Sequence, residues 1–303
     1  MLLLDKPEGA SSAVALAQAK RLLGAGKAGH TGTLDPFASG LLPLALGEAT
    51  KFSRFLLDAS KTYEAVLKLG ERTATGDTEG EVVERRPVSV TPGQVEEVLA
   101  AFLGAQTQVP PMHSAIRHQG QRLYELARKG LEVERAPRAI TIYSIDLLRK
   151  EGDLLEISVK CSKGTYVRVL AEDIGERLGC GAHLIGLRRT GIGRLSLAQA
   201  FSLEALERLE PEQRRRAILP VRSLVAELPL LALDNAQAKA LLEGLHVLAG
   251  PANAGVIAVE SQAGTFFGVV NSDGSGRLVP GRMASPGFLS DFPDFLEFCP
   301  VSG

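Results

Sequence analysis

The chain contains no tryptophan, and aromatic residues fill only 5% of its 303 positions. A protein that grips its ligand mainly through broad stacks of rings has little material for them here. The three cysteines, Cys161, Cys180 and Cys299, are odd in number, far apart and in no C-x-x-C pair. That spacing argues against a disulfide framework and a zinc site and fits a reducing cytoplasm. Long apolar runs are missing too. The opening Met1-Leu2-Leu3-Leu4 meets Asp5 at once and is too short for a signal-peptide core. No stretch approaches the roughly 20 apolar residues that span a bilayer, so no membrane partner is expected.

What is present is an ordinary globular mixture, with 45% hydrophobic and 23% charged residues. The length allows two domains. The net charge of −1 conceals an asymmetry: from residue 221 onward there are 4 basic and 8 acidic residues, whereas the first 220 carry a net +3. A basic surface on the larger part is therefore permitted, and with it a polyanionic partner.

Local patterns suggest an order of elements. Ser11-Ser12 can cap a helix over 13–23, with Leu16, Ala19 and Leu23 on one face and Gly24 as its stop. Residues 24–40, rich in glycine, read as loop, and 48–58 reads as a second helix from the spacing of Phe52, Phe55 and Leu56. Residues 61–69 alternate as a half-buried strand. Thr91-Pro92 opens a helix that Gly104 closes. Residues 112–138 form a basic segment with a short helix near 123–128. Strands over 139–148 and 154–161 make a hairpin around Gly152, and Ser162-Lys163-Gly164-Thr165 turns into a helix with Leu170, Ile174 and Leu178 inward. Past 225 come a short helix at 236–242 and strands at 256–260 and 265–270. Hairpins outnumber β-α-β units, which predicts an α+β fold around a mostly antiparallel mixed sheet, with a small C-terminal β-barrel-like module. The expected units are a domain over 1–225 and a module over 229–290.

Gly24-Ala25-Gly26-Lys27-Ala28-Gly29 matches G-x-G-x-x-G, but a helix precedes it and a loop follows, so a dinucleotide site is rejected. Gly29-His30-Thr31-Gly32-Thr33-Leu34-Asp35-Pro36-Phe37-Ala38-Ser39-Gly40 is more informative. It carries one imidazole and one carboxylate, and Pro36 holds Asp35 in extended backbone. Alone, an Asp-Pro turn explains it. The constellation around it is harder to dismiss: Lys6-Pro7-x-Gly9-x-x-Ser12, Leu42-Pro43, Gly47-Glu48-Ala49-Thr50-Lys51, Lys61-x-Tyr63, Cys161-Ser162-Lys163-Gly164-Thr165-Tyr166-Val167-Arg168, Gly179-Cys180-Gly181-Ala182-His183-Leu184 and Leu187-Arg188-Arg189. In this order, through about residue 200, the chain closely resembles the bacterial tRNA pseudouridine-55 synthases, the TruB family. The part over 229–285 resembles, more weakly, the PUA-like RNA-binding module that ends those proteins.

The resemblance implies a pseudouridine synthase fold and the isomerisation of a uridine in the T loop of transfer RNA. It implies Asp35 as the catalytic carboxylate, Arg168 as its partner, and Tyr63 against the target base as a proposed proton carrier. Tyr166 and Leu187 then line the pocket, His30 contacts the RNA, and Lys51 is structural or faces a phosphate. The 112–138 segment, with Arg117, Arg122, Arg128 and Lys129, corresponds to the part that grips the T arm. The reaction breaks the N1–C1′ bond, turns the base and rejoins it through C5, so it implies no cofactor and no metal. An ionised Asp35 suits it, and a neighbouring Arg168 favours the anion. No obligate protein partner is expected. Two other readings stay open: a tRNA-binding or folding protein, and a guide-RNA-dependent synthase subunit acting on ribosomal RNA. The intact Asp35, Tyr63 and Arg168 set speaks against the first, and the lack of lysine-rich extensions against the second.

Overall fold

The computed structural model describes residues 1–114, 116–127, 129–250 and 253–292. The chain starts with strand β1 (Leu2–Lys6), helix α1 (Ser12–Leu22), β2 (Ala28–His30) and β3 (Ser39–Leu46). A 3-10 turn, Gly47–Phe52, leads to the short α2 (Arg54–Asp58). Then follow β4 (Lys61–Leu69), the hairpin β5 (Glu71–Thr73) and β6 (Val82–Arg85), α3 (Pro92–Ala100) and β7 (Gly104–Gln108). A small excursion holds β8 (Arg117–His118), β9 (Gln121–Arg122) and α4 (Leu123–Ala127). The long hairpin β10 (Arg138–Glu151) and β11 (Leu154–Cys161) precedes α5 (Val167–Arg177), β12 (Ala182–Ile192) and β13 (Leu195–Ser196).

The main sheet runs β1-β3-β12-β4-β11-β10-β7, with β2 added to β3 and β13 to β12. Every pairing in it is antiparallel except β3 with β12. One face carries α3 and α5, whose Val95, Leu99, Leu170 and Ile174 join Leu67, Leu155 and Ile157 of the sheet in one core. At the β1–β3 end both faces are covered. Leu2 and Leu4 pack with Ala15 and Ala19 of α1, while Leu3 and Leu41 pack with Phe52. Successive strand residues point to opposite faces, so a strand buried on both sides shows no alternation. That is why β1 and β3 escape a reading based on period two. β12 escapes it as well, because Arg188-Arg189 in its middle resembles surface.

Other expectations shift. The stretch 24–40 is not all loop, since β2 and the start of β3 lie within it. The helix expected over 48–58 breaks into a 3-10 turn and α2, and α3 stops at Ala100 because the chain must turn into β7. The capped start of α1 is as expected, with Ser11 accepting from Val14 N.

Two short helices, α6 (Leu203–Arg208) and α7 (Pro211–Arg216), lead to β14 (Leu230–Leu233), α8 (Asn235–Leu242), β15 (Val247–Leu248), β16 (Gly255–Ser261), β17 (Phe266–Ser272), β18 (Arg277–Met283) and α9 (Pro286–Leu289). The strands form a second sheet, β14-β16-β17-β18-β15, curled into a half-barrel. Its β17 is buried at six of seven positions. Phe266 meets Phe52 edge to face at 5.1 Å, and Glu48 accepts from the N–H and hydroxyl of Ser285 at 2.8 and 2.9 Å.

Phe52 is fully buried at this joint. Phe52→Ala should cost about 3–5 kcal/mol through lost burial and a residual cavity, read as an earlier urea unfolding transition. A loss below about 1 kcal/mol would show that the joint does not depend on the ring.

Candidate active site

The segment between β2 and β3 is fixed from several sides. Thr31 N–H donates to Pro43 O at 3.0 Å, and Gly9 N–H donates to Pro36 O at 2.8 Å. The buried Ser12 hydroxyl accepts from Leu34 N–H at 2.8 Å and donates to Leu34 O at 2.9 Å. Gly40 has φ +103°, and a Cβ there would lie 2.4 Å from the carbonyl oxygen of Arg189. Only glycine allows that approach of β3 to β12.

Asp35 leaves this frame with its carboxylate partly open. Arg168, in the first turn of α5 and 6% exposed, places Nη2 3.2 Å from Asp35 Oδ2. The same guanidinium places Nη1 3.2 Å from Asp77 Oδ2 and donates to the carbonyls of Thr75 and His113. Asp77 is 1% exposed and accepts from Thr75 Oγ1 and from Glu79 N–H. The sequence reading missed Asp77. Its signal was a second acid in a glycine-flanked turn, Thr75-Gly76-Asp77-Thr78-Glu79-Gly80, which a plain surface turn explains equally well.

Burial raises the Asp35 carboxyl above its ordinary value. Arg168 and Lys6 pull it down, and Asp77 pushes it up. Lys6 is itself buried and lowered by that burial; its ammonium donates to the carbonyls of Pro7 and Ala10. Burial raises the phenols of Tyr63 and Tyr166. Burial and then Arg189 lower His30, which favours its neutral imidazole, and its Nδ1 has no hydrogen-bond partner among the described residues.

A cavity of about 830 Å³ opens over this floor, within the usual size of ligand sites. Asp35, Tyr63, Arg168, His30, Tyr166 and Leu187 all line it, so the fold gathers six of the expected residues from four separate stretches of chain. Asp77, Glu79, His113 and Tyr124 are also among its lining. Three of the four tyrosines in the chain thus face one cavity, which concentrates a scarce residue type where a flat base could lie. Lys51 does not belong to the lining. Its ammonium lies 2.5 Å from Glu48, the residue that holds Ser285. In the basic segment, Arg117 and Arg122 are opposite each other in the β8–β9 hairpin, and Lys129 is exposed beyond α4. Arg128 lies outside the described residues.

A family model described as TruB family pseudouridylate synthase (N terminal domain) matches residues 20–167, and one described as tRNA pseudouridylate synthase B C-terminal domain matches 168–226. The tRNA pseudouridine synthase B of Aromatoleum aromaticum is 54% identical over 286 residues, 94% of this chain and 92% of that protein. That of Dechloromonas aromatica is 51% identical over 283 residues, covering 93% and 94%. Among solved structures, a Cbf5-Nop10-Gar1 complex contains a chain with TM-score 0.73 and 28% identity, matched over 94% of this chain and 82% of its own length. Fold and cavity together define a pseudouridine synthase. The chain belongs to the TruB family of these enzymes.

The raised Asp35 carboxyl has two consequences of opposite sign. Its contribution to stability is present below the ordinary aspartate value of 3.8 and is lost as pH rises through the raised value, since the folded state holds that proton more tightly. Turnover that needs the anion should instead fall as pH drops through the same raised value. Asp77→Asn removes the like charge, so the acid limb of the residual single-turnover rate should move to lower pH. An unmoved or raised limb would show that Asp77 does not act on Asp35.

Proposed function

We propose that the protein converts uridine-55 in the T loop of transfer RNA to pseudouridine. The observation that carries this reading is the Asp35–Arg168 pair at the floor of a cavity that Tyr63 also lines. The target uridine must leave its stack to reach the carboxylate, at a cost of a few kcal/mol. Phosphate contacts and the rings of the cavity offset it. Tyr63 supplies a face for the flipped base and a hydroxyl near the ribose. Asp35 supplies the anion, either as nucleophile or as stabiliser of charge at C1′. Arg168 keeps that anion accessible against the desolvation that opposes it. The reaction moves a bond within one nucleotide and takes no cofactor.

Residues 112–138 are proposed to grip the T arm. Tyr124 and His113 reach the cavity from this segment, which links the gripping surface to the reacting base. We assign residues 1–225 to catalysis and 229–290 to a PUA-like module, and place the enzyme in the cytoplasm without an obligate protein partner. Identity near 50% to tRNA pseudouridine synthases, against 26–28% to Cbf5 chains, favours free transfer RNA over a guided ribosomal target.

Incubation with an unmodified transfer-RNA transcript, followed by chemical mapping of pseudouridine, tests the reading directly. Product at position 55 is expected, and product elsewhere or none would overturn it. Asp35→Asn should abolish product while RNA binding persists, because affinity resides mainly in phosphate contacts. Tyr63→Phe should bind normally and slow turnover about 10²–10⁴-fold.

Reversing Arg122, Arg128 and Lys129 to glutamate should weaken binding and lower the salt slope by about one for each phosphate no longer engaged. An unchanged slope in a filter-binding titration would remove this segment from the interface.

A further inference from the structure

Arg189 is 1% exposed and among the largest fully buried side chains of the molecule. The reaction as proposed gives it no role, and the pairing with Asp35 belongs to Arg168. Its own hydrogen bonds are specific. Nε donates to Leu41 O at 2.8 Å, Nη1 to Thr33 O at 3.4 Å and Nη2 to Gly32 O at 3.1 Å. Thr33 and Gly32 lie two and three residues before Asp35, so this guanidinium closes over the backbone that presents the carboxylate. The neighbouring Arg188 faces elsewhere and binds Asp5 at 2.7 Å and Ser39 at 3.2 Å.

Arg189 also sits directly opposite Tyr63 in the β12–β4 register, so both side chains leave the same face of the sheet, and its charge opposes the rise that burial imposes on the phenol. A guanidinium has donors only. Where the guanidinium meets the phenol, the phenol oxygen can only accept, and its own proton then points away from Arg189. The open direction is the cavity, which Tyr63 and Asp35 both line. One buried cation thus spans the two halves of the site, the loop that carries the anion and the strand that carries the phenol.

We propose that Arg189 is a positioning residue for catalysis. It fixes the Tyr63 hydroxyl as a hydrogen-bond donor toward the substrate and couples that hydroxyl to the Gly32–Thr33 backbone ahead of Asp35. This rests on Tyr63 and Asp35 acting in the isomerisation. A lysine cannot replace it, since one ammonium on a longer flexible stem does not reproduce a planar fork reaching four acceptors.

The test is a double-mutant cycle on the full chain with transfer-RNA transcript. It compares wild type, Arg189→Lys, Tyr63→Phe and the double variant by single-turnover rate and by RNA affinity. Arg189→Lys should slow turnover about 30-fold or more when the hydroxyl is present, but only about threefold in the Tyr63→Phe background. Affinity for RNA should change less than about twofold in either. Slowing by the same factor in both backgrounds would overturn the proposal, because Arg189 would then serve the loop backbone alone. A variant that fails to fold is met by a second measurement that leaves Arg189 in place. Tyr63→Phe should lower the melting temperature, because one buried guanidinium N–H loses its acceptor. An equal or higher melting temperature would overturn the proposal. A wild-type chain inactive on transfer RNA would instead count against the proposed function and leave the melting result standing.

Discussion

Two carboxylates share one guanidinium beneath the cavity, and the rest of the site is arranged around that arithmetic. Asp35 and Asp77 each lie 3.2 Å from Arg168, which leaves the trio with one excess negative charge in a largely desolvated place. Burying such charges is expensive, and their mutual attraction repays it only when the remaining donors and acceptors are also satisfied. Two further donors of Arg168 go to Thr75 and His113 carbonyls, and Asp77 takes a hydroxyl and an N–H. Asp35 alone keeps spare acceptor capacity and an open side. Asp35 is thus the one member of the trio left incompletely satisfied.

Further buried cations stand around this trio, and they use backbone oxygens where an acid would be the simpler partner. Lys6 holds the turn at Pro7 and Ala10. Lys61 donates to Leu57 and Ala59 carbonyls at 2.6 Å each, capping α2, and burial brings it down to about 8. Arg189 takes three carbonyls of the Asp35 loop and its exit strand. A carbonyl partner satisfies a cation's donors without cancelling its charge, so these cations remain to offset the excess negative charge of the trio. Shape and field come from the same side chains.

How legible all this was depends on which signal each residue carries. The Asp35 loop could be found because it stands in order with the other motifs of a constellation; alone, an Asp-Pro turn explains it. The alternation of β4 places Tyr63 on a half-buried strand, but only the resemblance placed it at the site. Asp77 carries the same type of signal in a shorter turn, and nothing local separates it from a solvated aspartate; only the reach of Arg168 from α5 does. β1 and β3 were hidden because both faces are buried, and β12 because paired arginines mimic surface. Arg188 and Arg189 do opposite things, one partly exposed at an ion pair and one sealed inside. That difference follows from strand alternation, which becomes visible only once the strand itself is recognised.

The single parallel pairing in the main sheet joins Ser39–Gly40 to Arg188–Arg189. Loop closure over so long a separation is entropically slow to establish. It also sets an order in time. While a ribosome is still making the first half of the chain, the loop bearing Asp35 has been synthesised but neither Arg168 nor Arg189 exists to hold it. The carboxylate therefore stays unassembled through most of translation. The Asp35 loop can meet both guanidinium groups only after β12 has been made and has paired with β3.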